Sequence, residues 1–136
     1  MIRTAQLLAG TLPLLFFSMA TAQETDTQNS RLSAAGIFQV SFSSRLQPVT
    51  INRMHSWVLH VETAAGDPVE GAEIQVGGGM PEHDHGLPTS PRVTRELGAG
   101  DYLVEGMKFH MHGAWQVTFA ISTQEATDSV LFDVEL

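Results

Sequence analysis

Histidine and methionine are the side chains of this sequence with the most obvious capacity for chemistry, and they are clustered. The six His, and the four Met beyond residue 22, all fall between residues 54 and 112. They form three groups. Met54, His55 and His60 flank Trp57. Met80, His83 and His85 lie in Met80-Pro81-Glu82-His83-Asp84-His85-Gly86. Met107, His110, Met111 and His112 lie in Met107-Lys108-Phe109-His110-Met111-His112-Gly113. Imidazole and thioether together, without thiolate or a dense carboxylate set, make a soft-to-borderline ligand field. Such a field suits Cu(I) best, and its imidazole-only subsets suit Cu(II), Zn(II) or Ni(II).

Spacing narrows the candidates. Residues 77–91 carry four Gly and three Pro and read as a loop of about fifteen residues, a length that compact domains keep chiefly for binding. His83 and His85 are two apart, so an extended backbone points both to one side, and the same parity joins His110 to His112. Met107, Phe109 and Met111 share the opposite side. His55 has the parity of Trp57, Leu59 and Val61 and belongs on or just beyond a buried face, whereas His60 has the other parity and should face solvent. Two ligand sets remain open. One is sulfur-rich, Met80 and Met111 with Met107 and with His55 or His85. The other is nitrogen-rich, His83, His85, His110 and His112. Met107 reads equally as core, Met54 as packing or surface, and His60 as solvated surface. Asp84 and Asp101 read as turn residues or as groups that orient a ligand.

The elements that must carry these residues follow a period of two. Ile37, Val40 and Phe42 lie in a β-rich run. Trp57, Leu59 and Val61 alternate with Val58, His60 and Glu62, and Ala72, Ile74 and Val76 with Glu73 and Gln75. Trp115, Val117, Phe119 and Ile121 alternate with Gln116, Thr118 and Ala120, and Val130, Phe132 and Val134 with Leu131 and Asp133. Turn signals separate them at Ala65-Gly66-Asp67-Pro68, Gly98-Ala99-Gly100-Asp101 and His112-Gly113. The pattern predicts an all-β, immunoglobulin-like antiparallel β-sandwich of six or seven strands over residues 32–136, with a small β-barrel as the competing architecture. Gly98-Ala99-Gly100-Asp101-Tyr102 predicts a tyrosine corner, its hydroxyl bonded to nearby backbone.

Composition closes off other chemistries. The chain has 136 residues and no Cys, which removes thiolate nucleophiles, Fe–S clusters, disulfides and blue-copper centres. Its net charge of −8 argues against nucleic acid or an anionic membrane as partner. No Ser/His/Asp or Cys/His arrangement stands out, so an enzyme is not expected. Met1-Ile2-Arg3, an apolar run from Leu7 to Met19 and Ala20-Thr21-Ala22 predict a secretory signal peptide over residues 1–22. Its Gly10 and Pro13, and its length, suit a membrane span poorly. Cleavage would remove one cation, Arg3, and no acid, so −8 becomes −9. Residues 23–31 contain no apolar side chain and read as a disordered leader. The expectation is a periplasmic domain with no membrane span in the mature chain.

The residues also carry a family resemblance. Met80-Pro-x-His83-x-His85-Gly86, then Pro91, Gly100-Asp-Tyr102 and Phe109-x-Met111-x-Gly113-x-Trp115 resemble the YtkA-like domain, a relative of FixH, over about residues 50–135. The resemblance implies a small exported or membrane-anchored β-sandwich linked to copper handling and to the supply or assembly of respiratory cytochrome oxidases. Matched position by position, it implies His55, Met80, His83, His85 and Met111 as ligands. His112 departs from it, standing where the pattern has Pro. With His110 added from the spacing, the expected site is His55, Met80, His83, His85, His110 and Met111. The expected cargo is copper, as Cu(I) before Cu(II) or Zn(II), and the expected partner a membrane or periplasmic copper protein such as a cytochrome oxidase. The alternative is a metal-free interaction or assembly module with the His-rich segment as its contact surface.

Overall fold

The computed structural model describes residues 29–136. The expected signal peptide, and residues 23–28 of the expected leader, lie outside them. Nine strands are present among the described residues: β1 (Ser30–Leu32), β2 (Phe38–Ser44), β3 (His55–Thr63), β4 (Glu73–Met80), β5 (His85–Gly86), β6 (Arg92–Gly98), β7 (Asp101–Met107), β8 (Ala114–Ser122) and β9 (Thr127–Glu135). One sheet has the order β1-β2-β3-β7-β6 and the other β5-β4-β8-β9. Every pairing is antiparallel. With β2 to β9 taken as A, B, C, C′, D, E, F and G, the orders are A-B-E-D and C′-C-F-G, the immunoglobulin arrangement.

Period two explains why the sheets face each other. Trp57, Leu59 and Val61 of β3 lie opposite Ser44, Phe42 and Val40 of β2, and Val117 and Phe119 of β8 lie opposite Phe132 and Val130 of β9. Apart from Ser44 these side chains are apolar and, with Val104 of β7, fill the space between the layers, and Trp57, Trp115, Phe119 and Phe132 are completely buried. At about 25 cal/mol per Å2 of apolar surface, such aromatic residues dominate the stabilisation.

The strand count exceeds the six or seven expected because three strands lack the alternating signal. β6 is mostly exposed and β5 has two residues. β1 is polar and begins inside the segment read as a disordered leader, where Arg31 bonds across to Leu131 O and Asp133 at 3.1 Å each. The expected fifteen-residue loop is also partly regular. Gly77, Gly78 and Gly79 continue β4 and pair with Thr118, Val117 and Gln116 of β8. The tyrosine bonds far along the chain rather than nearby. Tyr102 Oη donates to Val69 O at 2.7 Å and accepts from Ala72 N at 3.1 Å, tying β7 to the connection between the two sheets.

This topology sends the β2–β3, β4–β6 and β7–β8 connections to one end of the sandwich. The three His/Met groups sit at those connections, so the fold gathers what the sequence separates. No helix among the described residues is long and apolar enough to cross a membrane.

Candidate metal centre

His55 opens β3 with its Cα opposite Met107, at a register shift between His55 and Ser56. Its Nδ1–H donates to Arg53 O at 3.0 Å. A neutral imidazole with a proton on Nδ1 carries its lone pair on Nε2, and His55 Nε2 is buried with no hydrogen-bond partner. The ring lies 5.9 Å from Phe109 and 6.5 Å from Trp57.

The second group forms the turn from β4 to β5. Pro81 begins a 3-10 turn over Pro81–His83, and Asp84 closes it in the left-handed region at φ 50°, a conformation that Asp tolerates better than most residues. Met80, 2% exposed, faces His85 in the β4–β5 pairing. The His83 and His85 rings are stacked at 5.9 Å. They do share a side, as expected, but a tight turn brings them together rather than an extended backbone. His85 Nδ1–H donates to Gly86 O at 3.1 Å, which leaves its lone pair on Nε2. An open cavity of about 390 Å3 borders this turn, between Gly79, Asp84, His85 and Gln116.

The third group has left strand geometry by residue 108. Met107 and Phe109 are fully buried, and Met107 stands with the core. His110 is half-buried, with Nδ1 enclosed and unpartnered. His112 is exposed, so His110 and His112 do not share the environment that parity predicts. Met111 is half-buried, and its carbonyl accepts Trp115 Nε1–H at 3.0 Å. Gly113 leaves room for Met80, since a Cβ there would stand 2.8 Å from the Met80 methyl carbon.

His85 and His110 come closest, with ring centroids 4.9 Å apart. His85 thus has an imidazole neighbour in His83 as well as in His110. No three His, Asp or Glu side chains among the described residues are grouped so as to hold one ion. The nitrogen-rich set of four imidazoles is therefore not assembled in this structure. Any ion that His85 and His110 share needs other donors, and the thioethers of the same end, Met80 and Met111, are the soft ones available.

His55 packs on Phe109 at 5.9 Å, and Phe109 in turn lies 5.2 Å from Trp115. Met54 is 62% exposed, outside the cluster. His60 lies at the other end of the sandwich. It stands on the outward face of β3, half-buried by its partners, and it donates from Nδ1 to Asp101 at 2.5 Å and from Nε2 to Glu62 at 2.9 Å. Two carboxylate acceptors require two ring protons, hence an imidazolium. Partial burial pushes the His60 pKa down, but the bonds to Glu62 and Asp101 and their negative charges outweigh it and hold the pKa above the ordinary 6.5.

Spacing alone left Trp115 in the core. The structure places its ring 5.6 Å from His85 and 5.4 Å from His110. The available signal is its place in Phe109-x-Met111-x-Gly113-x-Trp115, four residues after Met111.

A family model described as YtkA-like matches residues 33–120, a span that contains His55, Met80, His83, His85, His110, Met111 and Trp115. Among solved structures, a chain titled ZirS C-terminal Domain is similar at a TM-score of 0.45 and 16% identity, over 97% of this chain and 88% of that chain. No curated protein matches the chain.

Proposed function

Because this chain belongs to the YtkA-like family, and because its His/Met groups meet at one end of the sandwich, we propose that it is a copper carrier. It holds copper, preferentially as Cu(I), at His85 and His110 with thioether sulfur from Met80 and Met111. His83 at the rim and His55 against Phe109 serve as entry or exit positions. The observation that carries this reading is the pair His85 and His110. Their rings are 4.9 Å apart, His85 is held with its Nε2 lone pair free, and His110 Nδ1 is buried without a partner. A buried, unpartnered polar atom is rare, because it forgoes about 1–3 kcal/mol. A bound cation would satisfy it.

Two imidazoles with thioether form a soft field of low coordination number, which favours Cu(I) over the divalent ions. Copper is cargo here, and no reaction is assigned to the chain. An exported carrier with the signal expected at residues 1–22 would act in the periplasm. There it would pass copper to a membrane or periplasmic copper protein, with a cytochrome oxidase as one such acceptor. The absence of any three-fold His/Asp/Glu grouping among the described residues favours the second reading, a metal-free interaction or assembly module, over a resident structural metal.

Competition with a chromophoric chelator on the protein lacking residues 1–22 separates the two. The expected result is Cu(I) binding tighter than micromolar, weakened at least tenfold (about 1.4 kcal/mol) by His85→Ala with His110→Ala and unchanged by His60→Ala. Binding no tighter than micromolar overturns the carrier reading and leaves the interaction module.

A further inference from the structure

The His85, His110 and Trp115 rings form a triangle with sides of 4.9, 5.4 and 5.6 Å. The indole is fixed in that triangle from two directions. Its Nε1–H is committed to Met111 O at 3.0 Å, and Phe109 packs edge-on against it at 5.2 Å. Trp115 is completely buried, so little rearrangement is open to it. Both imidazole centroids therefore lie within 5.6 Å of the indole centroid, so an ion bonded to one nitrogen of each ring is held beside the indole, at the roughly 6 Å range over which an aromatic ring attracts a cation.

We propose that the Trp115 indole is itself part of the metal site, a π-face wall that binds the cation shared by His85 and His110 and selects Cu(I). The proposal rests on the copper-carrier reading above and extends it to a residue outside the expected ligand set. Its chemistry follows from what the site lacks. No three His, Asp or Glu side chains among the described residues group around one point, so a third imidazole does not converge. Zn(II) prefers four σ-donor ligands, commonly in a tetrahedron, and a site with two nitrogens and a dry aromatic wall serves it poorly. A monovalent soft cation accepts two nitrogens, thioether sulfur and a polarizable neutral face.

The two Trp of the chain are Trp57 and Trp115, so Trp57→Phe leaves Trp115 as the sole indole. The test is an anaerobic Cu(I) titration of the wild-type protein and of Trp57→Phe, following indole emission and near-ultraviolet absorption. Cu(I) and Zn(II) affinities of Trp115→Phe are measured by chelator competition alongside. The expected result is a change in both spectra that saturates at one equivalent of Cu(I). Trp115→Phe should lose at least tenfold in Cu(I) affinity, while its Zn(II) affinity stays within twofold of wild type. Stoichiometric Cu(I) binding with unchanged spectra in the wild-type protein overturns the proposal and leaves the carrier reading standing. So does an equal loss of Cu(I) and Zn(II) affinity in Trp115→Phe. Absence of Cu(I) binding overturns both. The wild-type titration decides the matter even if a tryptophan variant does not fold.

Discussion

Replacing Gly79 by alanine places a methyl carbon 2.3 Å from the carbonyl oxygen of His85 and 3.0 Å from the Gly86 Cα. Ordinary contact begins near 3.4 Å, so something must move by about 1 Å. The obstacle is backbone, and no rotamer change relieves it. β4 is held from its other side by the ladder to β8, which runs from Glu73 to Gly79. β5 is a two-residue edge strand, so β5 yields and His85 moves with it. Metal–ligand distances tolerate only about 0.2 Å, and a displacement of this size removes His85 as a ligand. Cu(I) affinity should fall at least tenfold, about 1.4 kcal/mol. Global stability should suffer less, by about 1 kcal/mol, the low end of overpacking, or about 4 °C in Tm. Gly86 stands directly across the pairing, yet a Cβ there meets nothing nearer than Gly78 O at 3.5 Å. Gly86→Ala should therefore bind within twofold of wild type. Chelator competition and thermal unfolding of the two variants test this pair. Wild-type affinity in Gly79→Ala, or an equal loss in Gly86→Ala, refutes the claim that β5 positions the site.

Two further predictions concern the opposite end. Tyr102→Phe removes a hydroxyl that both donates to Val69 O and accepts from Ala72 N, and should destabilise by about 2 kcal/mol. Thermal unfolding should show a fall in Tm of about 8 °C with Cu(I) affinity unchanged. His60 has a folded pKa above its ordinary 6.5, so folding takes up a proton in that interval. Its contribution is fully present below about pH 6.5 and is lost as pH rises through the folded value. Its side chain is 35% exposed, so salt should weaken the effect. Denaturant unfolding of the wild-type protein across this range should show the decline, and His60→Gln should flatten it.

The sandwich was legible because its central strands, β3, β8 and β9, each bury one face, and burial of one face writes itself into sequence as period two. Where neither face is deeply buried the signal vanishes, as in β6, and where strands have two or three residues no period exists, as in β1 and β5. The segment 77–91 misled for a different reason. Glycine at 77, 78 and 79 reads as loop, but in β4 it lets other backbone approach closely: a Cβ on Gly78 would meet Gln116 O at 2.4 Å. Parity also failed at residues 108–112, because β7 ends at Met107 and alternation holds only while the strand continues. His60 keeps the outward-facing position that its parity predicts, and what parity does not reveal is that the neighbouring strand stays within reach, here through Asp101 of β7.

The methionines that open the second and third groups show what pairing adds to spacing. Met80 and Met107 each end a strand, each is buried, and each lies opposite a histidine, His85 for Met80 and His55 for Met107. The family resemblance includes Met80, whereas Met107 reads equally as core. Their surroundings supply a physical reason for the same order. Met107 lies across from His55, a histidine that packs on Phe109. Met80 has its methyl group against the one residue of the β7–β8 connection that lacks a side chain, Gly113, between Met111 and Trp115. A thioether so placed has flexible torsions and an open neighbour, and it lies beside the His85–His110 pair that needs a soft third donor. The carrier reading therefore assigns sulfur donation to Met80 before Met107.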